Sequence, residues 1–352
     1  MSAPTPLRAP PADDLEHVLA LLPDHVWQSL AGRRIFLTGG TGFVGKWLLC
    51  TLDAANRRFG LGVHVTVLSR NPDAFRAIEP QLASTEGLDW LRGDVRDFPF
   101  PRGEFDTVIH AATDVVIKAS PEEIFDTCIA GTRRVIDFAA QAGTRDLLLI
   151  SSGAVYGRQP PDLPRMPETY AGAPDPLLPD SAYGEGKRAS EWLCAAAGAR
   201  LGLKVRSARC FAFVGPYLPL DKHFAIGNFI GAALDGRAIV IQGDGTPVRS
   251  YLYAADMAAW LWAVLLRGRP GAAYNIGAES EISIGDLAHR VSKVLGTLPR
   301  VHIVGTPKAG RPPERYVPDH RLAREELGLV APLTLDEAIA RTANWHQAGS
   351  LR

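Results

Sequence analysis

The run Thr38-Gly39-Gly40-Thr41-Gly42-Phe43-Val44-Gly45 constrains this 352-residue chain more than any other feature. It stands between RRIFL, a short apolar run, and GKWLLCTLDAANRRF, whose apolar residues recur at helical spacing. The segment therefore reads as strand, tight turn, helix. Glycine suits such a turn for three reasons: it takes positive φ, it lets backbone N–H groups approach a pyrophosphate, and it lets helix and strand pack closely. A glycine triplet alone marks only a turn. In this strand–helix setting it predicts a dinucleotide site at Gly39, Gly42, Phe43, Val44 and Gly45.

The first half of the chain repeats the same unit. VHVTVLSR, FDTVIHAA and RDLLLISS are compact apolar runs of the kind buried on both faces of a sheet, and helical stretches such as PEEIFDTCIAGTRRVIDFAAQA separate them. Strands alternating with helices predict an α/β chain with a Rossmann-type doubly wound parallel sheet. Residues 1–32 are expected to form an N-terminal extension, flexible over its first dozen residues and then helical, with a break near Pro23. Residues 33–208 are expected to be the dinucleotide-binding domain, completed by 248–275, and 209–247 with 276–345 a smaller interleaved C-terminal substrate lobe. The proline-rich stretch 158–180 reads as an irregular loop placed to cover the substrate.

Charge and cysteine usage narrow the partners. Basic and acidic residues balance at 38 each, so no excess positive field draws nucleic acid or an acidic membrane surface, and a small molecule is the expected partner. No apolar stretch approaches the ~20 residues that span a bilayer. The opening MSAPTPLRAPPADD lacks the basic start and apolar run of a secretory signal, so a cytoplasmic location is expected. Cys50, Cys128, Cys194 and Cys210 are widely spaced and form no C-x-x-C pair, which predicts reduced core thiols and no metal site.

Chemistry is signalled by Tyr183-x-x-x-Lys187 near a helix start, preceded by Ser151-Ser152 at a strand end. Residues four apart share one helical face, so the Lys187 ammonium is expected to lower the phenol pKa of Tyr183 and make it a general acid/base for a hydroxyl or carbonyl. Ser152 would hold the same oxygen while a nicotinamide gives or takes hydride. At the end of the second strand an acidic residue would mark NAD; Ser69-Arg70 stands there, and a guanidinium suits a 2′-phosphate, so NADP(H) is favoured with NAD(H) possible. Asp94 and Val95 fall where an adenine edge would sit.

On TGGTGFVG, GDVRD, HAA at 110–112, GAVYG, YGEGK, VRSYLYAAD and RYVPD, the chain resembles the extended short-chain dehydrogenases of the NAD-dependent epimerase/dehydratase family, over residues 33–329. The resemblance implies Ser152, Tyr183 and Lys187 as catalytic residues, Ala111 and Ala112 against the cofactor, and a structural His110. It also implies Asn228, Arg249 and Arg315 at a sugar-nucleotide diphosphate, and a homodimer. The reaction implied is hydride transfer at sugar carbon four, with 4-keto reduction favoured slightly over redox-neutral epimerisation; a non-catalytic NADP-binding sensor would have lost Tyr183 or Lys187. Two departures matter: Gly153-Ala154 replaces the Asp-Glu pair of the family's 4,6-dehydratases, which argues against dehydration and against decarboxylation using the same glutamate. Cys128 and Ala212 stand where asparagines are usual.

Overall fold

A computed structural model describes residues 9–113, 119–222, 224–297, 300–310 and 312–350; residues 1–8, read as flexible, lie outside that set. Two short helices open the chain, α1 (Ala12–Ala20) and α2 (Asp24–Gln28). Pro23 caps the second, because proline cannot donate the bond that would continue the first. Strands and helices then alternate: β1 (Arg34–Thr38), α3 (Phe43–Phe59), β2 (His64–Ser69), α4 (Pro72–Ile78), α5 (Pro80–Ala83), β3 (Leu88–Arg92), β4 (Thr107–His110), α6 (Pro121–Gln141), β5 (Asp146–Ser152), α7 (Ala182–Leu201) and β6 (Lys204–Cys210). A capping box starts α6, with Ser120 and Glu123 each satisfying the other's backbone N–H.

Beyond β6 the elements shorten. They are β7 (Phe213–Val214), α8 (Ala225–Leu234), β8 (Ile239–Ile241), β9 (Val248–Ser250), β10 (Leu252–Tyr253), α9 (Ala254–Arg267), β11 (Ala273–Ile276), β12 (Glu281–Ser283), α10 (Ile284–Val294), β13 (Val301–Ile303), β14 (Arg315–Tyr316), α11 (Arg321–Leu327) and α12 (Leu335–Ser350). The chain crosses back: β11 returns to the main sheet, while β12, β9 and β14 form a separate small sheet and β8 pairs β13.

The main sheet has seven strands in the order β11-β6-β5-β4-β1-β2-β3, with every pairing parallel. This is the expected doubly wound arrangement. Strand order reverses between β1 and β4, so a crevice opens beyond their carboxyl ends, which are in register at Thr38 and His110. One face of the sheet is covered by α3 and α9, against which α1 also packs, and the other by the paired α6 and α7. That double cover is why the strands read as unbroken apolar runs. The first core holds Trp27, Trp47, Trp260 and Trp262; the second centres on Phe36, Phe98, Phe105 and Phe138. All four cysteines are buried and free.

The 158–180 segment is largely irregular, as expected, yet it is fastened down. Met166 is buried; its N–H donates to the Val317 carbonyl at 2.8 Å and its carbonyl accepts from Asp319 at 2.9 Å. Among the described residues, no helix is long and apolar enough to cross a membrane.

Candidate active site

The site begins at the turn after β1. Gly39 has φ +72°, and a Cβ there would stand 2.6 Å from the carbonyl carbon of Ala111. A Cβ on Gly45 would run into the Gly39 carbonyl. Only glycine fits either place, and Gly42 caps α3, so the first-turn N–H groups of a 17-residue helix face the crevice. A dinucleotide diphosphate fits this cradle. The turn is tied to the next strand end because the Thr38 hydroxyl oxygen accepts from the N–H groups of Ala111 (3.1 Å) and Ala112 (3.0 Å).

Those two bonds orient a buried chain. With its lone pairs taken, Thr38 must donate onward to Nδ1 of His110 at 2.8 Å. Nε2–H of His110 then donates to Thr132 (3.1 Å), Thr132 to Ser190 (2.9 Å) and Ser190 to the Gly186 carbonyl (2.9 Å). This order requires a neutral imidazole, and burial pushes the His110 pKa down to about 3, with the Lys187 charge adding to the effect. The residue is structural in this arrangement, as the resemblance implied.

A small cavity beside the turn is lined by Ser69, Arg70, Asp94, Val95, Ala111 and Ala112 together with Gly39 and Gly42. All the residues expected at the adenosine end therefore meet. The Asp94 carboxylate is already held by Arg96, whose Nε and backbone N–H donate at 2.9 and 3.0 Å; that bond, reinforced more weakly by the charge of Arg70, keeps its pKa below the usual value despite burial. Thr127 of α6 also lines this small cavity; a threonine inside an amphipathic helix gave no sequence signal.

The catalytic candidates share one cavity of about 600 Å³ with the glycine turn. Ser152 ends β5, Tyr183 opens α7 and Lys187 follows one turn later. Small residues let α7 approach closely: a Cβ on Gly184 would lie 2.7 Å from the Ala154 carbonyl oxygen, and one on Gly186 would lie 2.8 Å from Cβ of Cys128. Cys128, in place of the family's asparagine, is thus a packing partner of α7, and burial raises its thiol pKa.

The expected lowering of the Tyr183 pKa is not what this geometry produces. Burial raises it, opposed by the Ser152 hydroxyl, while the Lys187 ammonium donates to the Ile150 carbonyl at 2.8 Å and lies 6.0 Å from the phenol ring centre. Burial in turn lowers the pKa of Lys187.

The far wall is aromatic. Phe211, Phe213, Phe224, Tyr251 and Tyr316 all line the cavity, and Phe211 lies against Tyr316 with ring centres 4.6 Å apart. Isolated aromatic residues in short strands and connections read as core, so sequence reasoning passed over them. Arg249 lines the cavity too; its guanidinium meets Glu314 at 2.6 Å. Arg315 does not line it. Tyr316 pairs in register with Arg249, and alternation along β14 turns Arg315 to the other face, where it contacts Glu281 and the Pro164 carbonyl. Asn228 stands exposed on α8 and does not line the cavity, although Ala225 and Ile226 of the same helix do. Among the described residues, no cluster of His, Cys, Asp and Glu could hold a metal ion.

The sequence model of the NAD dependent epimerase/dehydratase family matches residues 35–277. UDP-glucuronic acid decarboxylase 5 of Arabidopsis thaliana is 30% identical over 312 residues, 88% of each chain. A dTDP-glucose 4,6-dehydratase of Streptomyces antibioticus is 28% identical over 320 residues, 89% of this chain and 92% of that one. Among solved structures, a double mutant of the dTDP-glucose 4,6-dehydratase DesIV from Streptomyces venezuelae, with NAD and DAU bound, superposes with a TM-score of 0.75 at 28% identity, covering 89% of this chain and 97% of that one.

Proposed function

Since the chain belongs to the NAD dependent epimerase/dehydratase family of sugar-nucleotide enzymes, we propose that it transfers a hydride at carbon four of a nucleotide-linked sugar, using NADP(H) in the direction of 4-keto reduction. The carrying observation is that Ser152, Tyr183 and Lys187 meet on the wall of the same cavity that the glycine turn closes. A bound nicotinamide supplies or accepts the hydride. The protein's part is proton handling and orientation. Tyr183 gives its phenolic proton to the carbonyl oxygen as that oxygen becomes a hydroxyl, and recovers it from solvent. Ser152 hydrogen-bonds the same oxygen and, against the burial that raises the Tyr183 pKa, favours the phenolate that is left behind, with Lys187 one helical turn away on the same wall.

The relatives' names support a nucleoside-diphosphate-linked sugar as substrate. Their elimination and decarboxylation do not carry over well: among the described residues lining the cavity there is no carboxylate, and position 153 has no side chain to offer one. Cofactor choice rests on Arg70 at the rim of the adenosine-side cavity, where its charge is felt by Asp94. A reductase must exchange its cofactor with the NADPH pool, and a 2′-phosphate ligand suits that need.

The test incubates purified protein with dTDP- and UDP-linked 4-keto sugars and NADPH or NADH. Stoichiometric NADPH consumption is expected, with NADPH preferred over NADH and the preference narrowed in Arg70→Asp. Tyr183→Phe should be slower by about a hundredfold or more. Catalytic interconversion of two 4-hydroxy epimers with no added cofactor and no net change in nicotinamide absorbance would establish the epimerase instead.

A further inference from the structure

The residue after Ser152 is Gly153, and the space a side chain would need there is taken. A Cβ at 153 would stand 2.7 Å from Cζ of Phe211 and 2.7 Å from the Tyr316 hydroxyl. The two rings therefore lie directly beside the group that holds the reacting oxygen. They are braced from behind by Val155, Tyr156 and Met166, the last belonging to the fastened proline-rich segment. The Tyr316 hydroxyl lies toward the Cys210 carbonyl (3.4 Å) and Ser152, where it is already engaged, and both Phe211 and Tyr316 line the cavity.

Nearby charged groups are few. Lys187 and Arg249 are the only charged residues among the described residues lining the cavity, and each is engaged, with the Ile150 carbonyl and with Glu314. A substituent on the carbon next to the reacting one would meet rings that offer no hydrogen bond along their faces. A hydroxyl placed there loses its water without a replacement partner, and a carboxylate loses far more.

We propose that Phe211 and Tyr316 make this site selective for a nucleotide-linked sugar whose carbon beside the reacting carbon carries a methyl group, over one carrying hydroxymethyl or carboxylate. This selectivity rests on the assignment of Ser152, Tyr183 and Lys187 to the reacting oxygen. Apolar pockets reject an added hydroxyl only moderately, by roughly a hundredfold at most. The methyl compound should therefore exceed the hydroxymethyl compound in kcat/KM by about ten- to a hundredfold, and the carboxylate should fall lower still.

The probes are dTDP- and UDP-linked 6-deoxyglucose, glucose and glucuronic acid, each incubated with NADP⁺ or NAD⁺. Oxidation is followed by nicotinamide absorbance and epimerisation by product analysis. Preference for 6-deoxyglucose in the wild-type protein, narrowed in Phe211→Asn, is the expected result. Equal or reversed preference in the wild type overturns the selectivity while leaving the carbon-four chemistry in place, and it does so whether or not Phe211→Asn folds. Turnover of none of the three sugars overturns the carbon-four assignment and the selectivity with it.

Discussion

His110 works by staying uncharged. A second proton on its ring would have to point at the Thr38 oxygen, which already accepts from Ala111 and Ala112, so protonation breaks the chain that fastens the turn after β1 to α7. In the unfolded chain the imidazole takes a proton below 6.5, whereas in the fold burial pushes that down to about 3. A depressed folded value contributes stability that is present above 6.5 and is lost as pH falls toward 3, at about 1.4 kcal/mol per pH unit. Melting temperatures measured from pH 7.5 to 5.0 should therefore fall more steeply for the parent than for His110→Gln. Burial moves His346 in the same direction, so the difference between the two proteins, and not the parent slope, is the readout. Parallel slopes would put the acid sensitivity elsewhere.

At the scale of elements, the N-terminal helices act as a strap across the back of the sheet. Trp27 is fully buried, lies 6.0 Å from Trp262 of α9 and donates to the Leu19 carbonyl at 3.1 Å. His17 meets the buried Asp256 at 2.7 Å, while the buried Asp14 accepts from Tyr253 and Arg341. Trp27→Ala should cost about 3–5 kcal/mol in urea unfolding, the usual range for emptying so large a core site, while NADPH affinity stays near the parent value. A loss below about 1 kcal/mol would mean that the strap can detach without consequence. The helices and their break at Pro23 were legible because capping and periodicity are local signals. Their docking was not, since Asp14 finds Arg341 at the opposite end of the chain. The same limit explains the substrate side: Arg315 and Tyr316 are neighbours in sequence, and only the strand's placement decides which of them faces the cavity.

For the molecule as a whole, the sheet was legible from its alternating runs, and one wall of the cavity from the glycine turn and the Tyr183–Lys187 spacing. The aromatic wall was not legible, because Phe211, Phe213 and Tyr251 come from strands and connections that converge only in three dimensions. That convergence makes one cavity out of two halves, with Gly39 to Gly45 and Ser152 on the sheet side and Phe213, Ile226 and Ile284 on the lobe side. Two ligands that share a cavity also share a wall. The first to bind fixes side chains and removes surface from water, so the second has less ordering left to supply. Cofactor and sugar nucleotide should therefore bind with positive coupling of about 1–3 kcal/mol, a factor of roughly 5–150 in affinity, and the factor must be the same whichever is added first. Titration calorimetry of a dTDP- or UDP-linked sugar, with and without saturating NADP⁺, measures one side of the cycle; titration of NADP⁺ with and without the sugar measures the other. Equal affinities in the presence and absence of the second ligand would show that the two do not meet, and would move the sugar site away from the Ser152–Tyr183–Lys187 wall.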